Sequence, residues 1–149
     1  MRAPFQILAI PYRLTDDMSL YAVLHRADHD QWQFIAGGGE DNETPAQAAI
    51  REIFEESGIS ADELFPLTSM CYVRADCFSV KARANWANDT YVIPEYSFAF
   101  ECNKDITLSS EHKKVIWLTY DEAMKKLEWD SNKTALYELN ERLLNQKDI

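Results

Sequence analysis

Apolar and polar positions along the chain alternate and cluster in ways that mark where elements begin and end. Phe5 to Tyr12 and Leu20 to Arg26 are β-rich runs separated by the polar Thr15-Asp16-Asp17, which predicts an opening hairpin. Trp32 to Ile35 adds a short strand. Leu67 to Phe78 and Val92 to Glu101 read as two longer strands, joined around Lys81 to Trp86 by a loop with no clear period. Val115 to Leu118 is a last strand, followed by helices over Asp121 to Leu127 and Lys133 to Asn145. In the middle, Thr44-Pro45-Ala46-Gln47 has the form of a helix start: Thr44 as N-cap, Pro45 at the first helical position and Gln47 closing a capping box. Gly58 supplies the stop. Ala46, Ala49, Ile50, Ile53 and Phe54 recur at three- and four-residue spacing, predicting that this face packs on a sheet and leaves an acidic face outside.

Strands interrupted by helices point to an α/β or α+β layered architecture. At 149 residues and 46% hydrophobic, the chain has the size and apolar content of one domain, residues 1–149. Twenty-five acidic against 15 basic residues leave a formal charge of −10, a field that repels a nucleic-acid polymer. A small phosphorylated ligand stays admissible, because cations held by carboxylates reverse the local sign. Cys71, Cys77 and Cys102 fit neither a disulfide framework nor a zinc pattern and read as buried thiols. The N-terminal residues lack a long apolar stretch, and no run approaches the roughly 20 apolar residues of a membrane span. The expectation is a cytoplasmic protein with no membrane partner.

Gly37-Gly38-Gly39 holds three of the four glycines, which predicts unusual dihedrals or close contact there. On the helix that follows, Glu52, Glu55 and Glu56 project from neighbouring turns, with Arg51 at their edge. Three like charges so close repel each other. A hard divalent cation, which takes carboxylate and phosphate oxygens together, would relieve that repulsion. The plain alternative is a solvated acidic helix surface.

Reading outward from these glutamates gives Gly37, five residues, Glu43, seven residues, then Arg51-Glu52-Ile53-Phe54-Glu55-Glu56-Ser57-Gly58-Ile59. This resembles the Nudix box, G-x5-E-x7-R-E-U-x-E-E-x-G-U, where U is aliphatic, with every specified position present. The resemblance implies an α/β/α sandwich with a mixed sheet, and a hydrolase of phosphoanhydride bonds that uses Mg2+, with Mn2+ able to substitute. It further implies that Glu52, Glu55 and Glu56 hold the metal with the main-chain carbonyl of Ala36, and that Arg51 orients a carboxylate. Glu43 supports the helix and loop. The general base stays unassigned, since one carboxylate or a further acidic loop residue can take the proton from water.

Ser109-Ser110-Glu111-His112, Trp129-Asp130-Ser131-Asn132 and Trp32-Gln33 look like the bacterial dihydroneopterin triphosphate pyrophosphohydrolase branch. In that branch the glutamate matching Glu111 completes the metal site. The alternative for Glu111 is an ordinary exposed loop carboxylate. His112 is read as a structural hydrogen-bonding residue, outside the catalytic set. Arg26 and Arg83, with Lys81, are candidate phosphate contacts, and Trp32 or Trp86 is a candidate stacking platform. Gly37, Gly38 and Asn132 complete the candidate substrate-binding set. For Trp129 and Asn132, helix capping by Asp130-Ser131 explains the segment equally well. Glu95 is an acidic residue able to face the helix. Substrates in this reading are a pterin or deoxynucleoside triphosphate, cut to monophosphate and pyrophosphate. The alternatives are a dinucleoside polyphosphate or a non-catalytic nucleotide-sensing module, and a homodimer is an admissible assembly.

Overall fold

Strand β1 (Arg2–Leu14) organises the molecule, because it pairs with three other strands, two of them in succession along one edge. In the computed structural model, which describes residues 1–145, its first half pairs antiparallel with β4 (Ile35–Glu40) and its last residues with β2 (Ser19–Arg26). Pro11 has no N–H to donate. It falls between the last β4 pair, Ala9 with Ile35, and the first β2 pair, Tyr12 with Tyr21, where β1 changes neighbour. Along its other edge β1 runs parallel to β6 (Val92–Glu101), and β5 (Phe65–Arg74) closes that side antiparallel to β6. On the far side, β2 pairs with β3 (Trp32–Gln33) and β7 (His112–Leu118). The result is one mixed seven-stranded sheet.

Alternation along β1 sends Leu8, Ile10 and Tyr12 to one face and Ile7 and Ala9 to the other. The first set packs with Ala123 of α2 (Tyr120–Lys126) and Ala135, Leu136 and Leu139 of α3 (Asp130–Leu144). The second faces Ala48, Ala49 and Ile53 of α1 (Pro45–Ser57). Helices therefore cover both faces, giving the α/β/α sandwich that the resemblance implies.

Several details differ from the sequence reading. The triple glycine lies inside β4 with ordinary extended dihedrals; among the described residues only Asp41 and Gly58 have positive φ. Close contact is what those glycines provide. Helix α1 is rotated from the expected azimuth: it buries Ala48, Ala49, Ile53, Glu56 and Ser57, while Ala46, Ile50 and Phe54 face solvent. Its inward face thus includes part of its acidic side. Helix α3 starts at Asp130, its N-cap is Trp129, and no side chain caps it, so Asp130-Ser131 is not a capping pair. Of the cysteines only Cys102 is buried; Cys71 is half-buried and Cys77 exposed, and all three are free. No described helix is long and apolar enough to cross a membrane.

Candidate active site

The acidic helix is held at both ends by its own sequence. The Thr44 hydroxyl accepts from the Gln47 amide at 3.2 Å, and the Gln47 side chain accepts from the Thr44 amide at 2.9 Å. Gly58 ends the helix at φ 73°, donating its N–H to the Phe54 carbonyl at 2.9 Å. Between these ends, burial of Ala48, Ala49 and Ile53 turns Glu52 and Glu56 inward, while Glu55 stays on the exposed side.

Arg51 ties the helix to β4. Its Nε and Nη2 donate to the two oxygens of Glu43 at 2.8 and 2.9 Å, and Nη2 also donates to the Gly38 carbonyl at 2.7 Å. Its Nη1 donates to Glu52 at 2.9 Å and Glu55 at 3.2 Å. Glu43 also accepts from the Glu40 amide, and together these contacts hold its carboxyl below the usual carboxylate range, the Arg51 hydrogen bond contributing most. Gly37 is packed against Glu52 so closely that a Cβ there would overlap its carboxyl group. A bare strand beside the helix is what makes room for an inward glutamate.

Glu56 is 1% exposed, and its carboxyl oxygens find no N–H or hydroxyl donor among the described residues; the group they meet is the Glu52 carboxyl. Burial, then the neighbouring Glu52, push its carboxyl up to about 10. Burial raises Glu52 as well, against the lowering influence of its hydrogen bond with Glu56 and then of Arg51. Beside them, at the start of β7, His112 is buried with its Nδ1 3.5 Å from a Glu56 oxygen. Both of its ring nitrogens also lack hydrogen-bond partners among the described residues, contrary to the structural hydrogen-bonding role expected of it. Burial, and then Arg26, lower its pKa. Glu111 is exposed, and one ligand atom from each of Glu56, Glu111 and His112 lies within 4.8 Å of the others.

Orphaned buried oxygens next to a second carboxyl are costly unless a proton or a cation intervenes. The donor set, carboxylates plus one imidazole, suits a divalent cation. His112 is the member that the sequence reading left out. Its adjacency to Glu111 was the available signal, but nothing local shows that the two come to rest against Glu56.

A cavity of about 1010 Å³ opens beside this cluster. Arg26, Ala36, Glu111, His112 and Asn132 all line it. Arg26 is held by Asp28 through two contacts, at 2.9 and 2.7 Å. Asn132 is buried and accepts from the Phe34 amide at 2.9 Å, which fixes the start of α3 to the residue ahead of β4. Trp32 and Arg83 are not on the cavity wall. The Trp32 ring packs 4.6 Å from that of His25, with the Lys126 ammonium 4.8 Å away, and Arg83 donates to the Phe78 carbonyl at 3.1 Å. Trp86 is buried with Ala75 and Ile93, its indole N–H bonded to the Arg2 carbonyl, and Lys81 is exposed. Gly37 and Gly38 contact Glu52 and Arg2 rather than the cavity. Glu95, by contrast, is buried and lines it.

Comparison with known proteins adds to this geometry. A family model described as the NUDIX domain matches residues 9–139. An 8-oxo-(d)GTP phosphatase of Mycolicibacterium smegmatis is 28% identical over 134 residues, covering 86% of this chain and 36% of that protein. The chain thus spans about a third of that relative's length. A dihydroneopterin triphosphate diphosphatase of Haemophilus influenzae is 28% identical over 134 residues, covering 87% of this chain and 83% of the relative. A solved structure of a candidate NUDIX hydrolase from Listeria monocytogenes superposes with a TM-score of 0.86 at 45% identity, over 99% of this chain and 100% of that one.

Proposed function

The chain belongs to the NUDIX hydrolase family, and from that premise we propose that it is a Mg2+-dependent pyrophosphohydrolase, splitting a nucleoside or pterin triphosphate into a monophosphate and pyrophosphate. Dihydroneopterin triphosphate is the substrate placed first. The observation that carries the reading is Glu56, a buried carboxyl with no N–H or hydroxyl donor, set against the Glu52 carboxyl and beside Glu111 and His112. A site kept only for packing gains nothing from such a group, since an apolar side chain of similar volume is neutral or better there. The pterin substrate draws support from the Haemophilus relative, matched over most of its length, and from the Trp129 to Asn132 segment on the cavity wall.

In this reading Glu52, Glu56 and Glu111, with Glu55 at the exposed edge, would hold Mg2+ together with the Ala36 carbonyl, and His112 stands beside them. When bound, the cation neutralises phosphoryl charge and makes a coordinated water more acidic. The chain's own residues do the rest. Arg51, forked on Glu43, fixes the Glu52 carboxylate, and Gly37 leaves the space that carboxylate occupies. Arg26, kept in place by Asp28, presents positive charge on the cavity wall for a polyphosphate. A carboxylate of the cluster accepts the proton of the attacking water.

The test is pyrophosphate and orthophosphate release, with and without Mg2+, from dihydroneopterin triphosphate, the deoxynucleoside triphosphates and dinucleoside polyphosphates. Metal-dependent pyrophosphate release from the pterin is expected. Faster turnover of a dinucleoside polyphosphate would replace the substrate, and no cleavage with any divalent metal would remove the hydrolase reading.

A further inference from the structure

Glu95 is a buried carboxyl for which the metal chemistry has no use. It lies on β6 at 8% exposure and lines the same cavity as Glu111 and His112. The sheet register sets it between Gln6 of β1 and Cys71 of β5, so three polar side chains form a row across adjacent strands on the cavity wall. Its partners are the Cys71 thiol, 3.5 Å from Oε1 and a weak donor, and the Ser131 hydroxyl at the start of α3. An ionised carboxylate has about four acceptor positions and no donor. One thiol and one hydroxyl leave about two of those acceptor positions open and supply no N–H donor, and a ligand in the cavity is a source of both.

We propose that Glu95 is a specificity residue of this site, accepting two hydrogen bonds from the adjacent ring N–H and exocyclic NH2 of a 2-amino-4-oxopyrimidine edge. The proposal rests on the triphosphate reading above and narrows its substrate from any heterocycle to those carrying that edge. Dihydropterins and guanine share it. Adenine presents a bare ring nitrogen beside its amino group, setting a lone pair against the carboxylate, and hypoxanthine lacks the amino group altogether. A site whose buried polar group is left unpaired by the wrong ligand discriminates far more strongly than an apolar pocket does.

The test is metal-free binding of GMP, IMP, AMP and fluorescent neopterin to the wild type and to Glu95→Gln, with thermal unfolding as the control for fold. The wild type should bind GMP about tenfold or more tighter than IMP and AMP, roughly the worth of one hydrogen bond to a charged group. In Glu95→Gln that gap should shrink to about twofold or less, since one acceptor becomes a donor. The ratio of neopterin to GMP affinity tells which of the two heterocycles the pocket favours. A variant that keeps the full preference for GMP, or weakens all ligands equally, overturns the proposal, as does a wild type that does not prefer GMP. A wild type that prefers GMP but cleaves no triphosphate supports the recognition and rejects the hydrolase reading. One that cleaves all triphosphates alike does the reverse.

Discussion

Replacing Glu56 by Gln should make the metal-free protein more stable while removing its turnover. The folded-state carboxyl is pushed up to about 10, chiefly by burial and by Glu52, from an ordinary value of 4.5. For an acid raised in this way, the stabilising contribution is fully present below the unfolded value and is lost as pH rises toward the folded one. At pH 7.5 about three units of that window have been crossed, and at about 1.4 kcal/mol per unit the upper bound on the loss is about 4 kcal/mol. Relaxation of the helix and entry of water reduce it, so about 2 kcal/mol is the expected gain for the neutral amide, or roughly 6 °C in Tm for a chain of this size. The assay is thermal and urea unfolding of both proteins in chelator at pH 5 and pH 7.5. The stability gap should be small at pH 5 and open at pH 7.5. Saturating Mg2+ should then stabilise the wild type and do little for the variant, because a ligand that binds only the folded state stabilises it by mass action. A variant no more stable than the wild type at pH 7.5 in chelator would refute the claim that Glu56 is an uncompensated buried carboxyl.

Gly37→Ala should weaken Mg2+ affinity by about 10- to 100-fold with little change in Tm, because the new methyl displaces the flexible end of Glu52 rather than backbone. Calorimetric titration with Mg2+ checks it. Arg51→Lys loses the two-pronged grip on Glu43 and should lower kcat/KM by about 10- to 100-fold, with a stability cost of about 1 kcal/mol for this partly exposed group. Steady-state kinetics beside urea unfolding separate the two effects. Asn132→Ala leaves the buried Phe34 amide without its acceptor and should cost about 1–3 kcal/mol, with Asn132→Asp recovering most of it; urea midpoints decide this.

What was legible in the sequence was what neighbouring residues encode among themselves. The capping box at Thr44 to Gln47, the stop at Gly58 and the glutamate spacing of α1 all involve groups a few residues apart, and they stand as the sequence predicts. The β1–β2 hairpin and the full extent of β6 were equally readable, from runs of β-formers and a polar turn. The azimuth of α1 was not. Apolar periodicity favoured a face containing Ile50 and Phe54, but packing buried the smaller Ala48 and Ala49 and drew Glu52 and Glu56 inward over the glycines of β4. A helix chooses its buried face by the fit to its partner as well as by its hydrophobicity, and the partner is not written within the helix.

The amino-acid sequence by itself therefore determined the family, most of the elements and the carboxylates available for chemistry, because these depend on residue type and short-range spacing; it missed the strand over Gly37 to Gly39 and carried β5 past its end at Arg74. Only the tertiary structure decided which of those groups meet. It brought Glu111 and His112 from the head of β7 to Glu56 on α1, set Glu95 between Gln6 and Cys71 on the cavity wall, and left Trp32, Trp86 and Arg83 away from it. Those meetings follow from strand register and sheet order, long-range choices set by burial summed over the whole core rather than by any one segment.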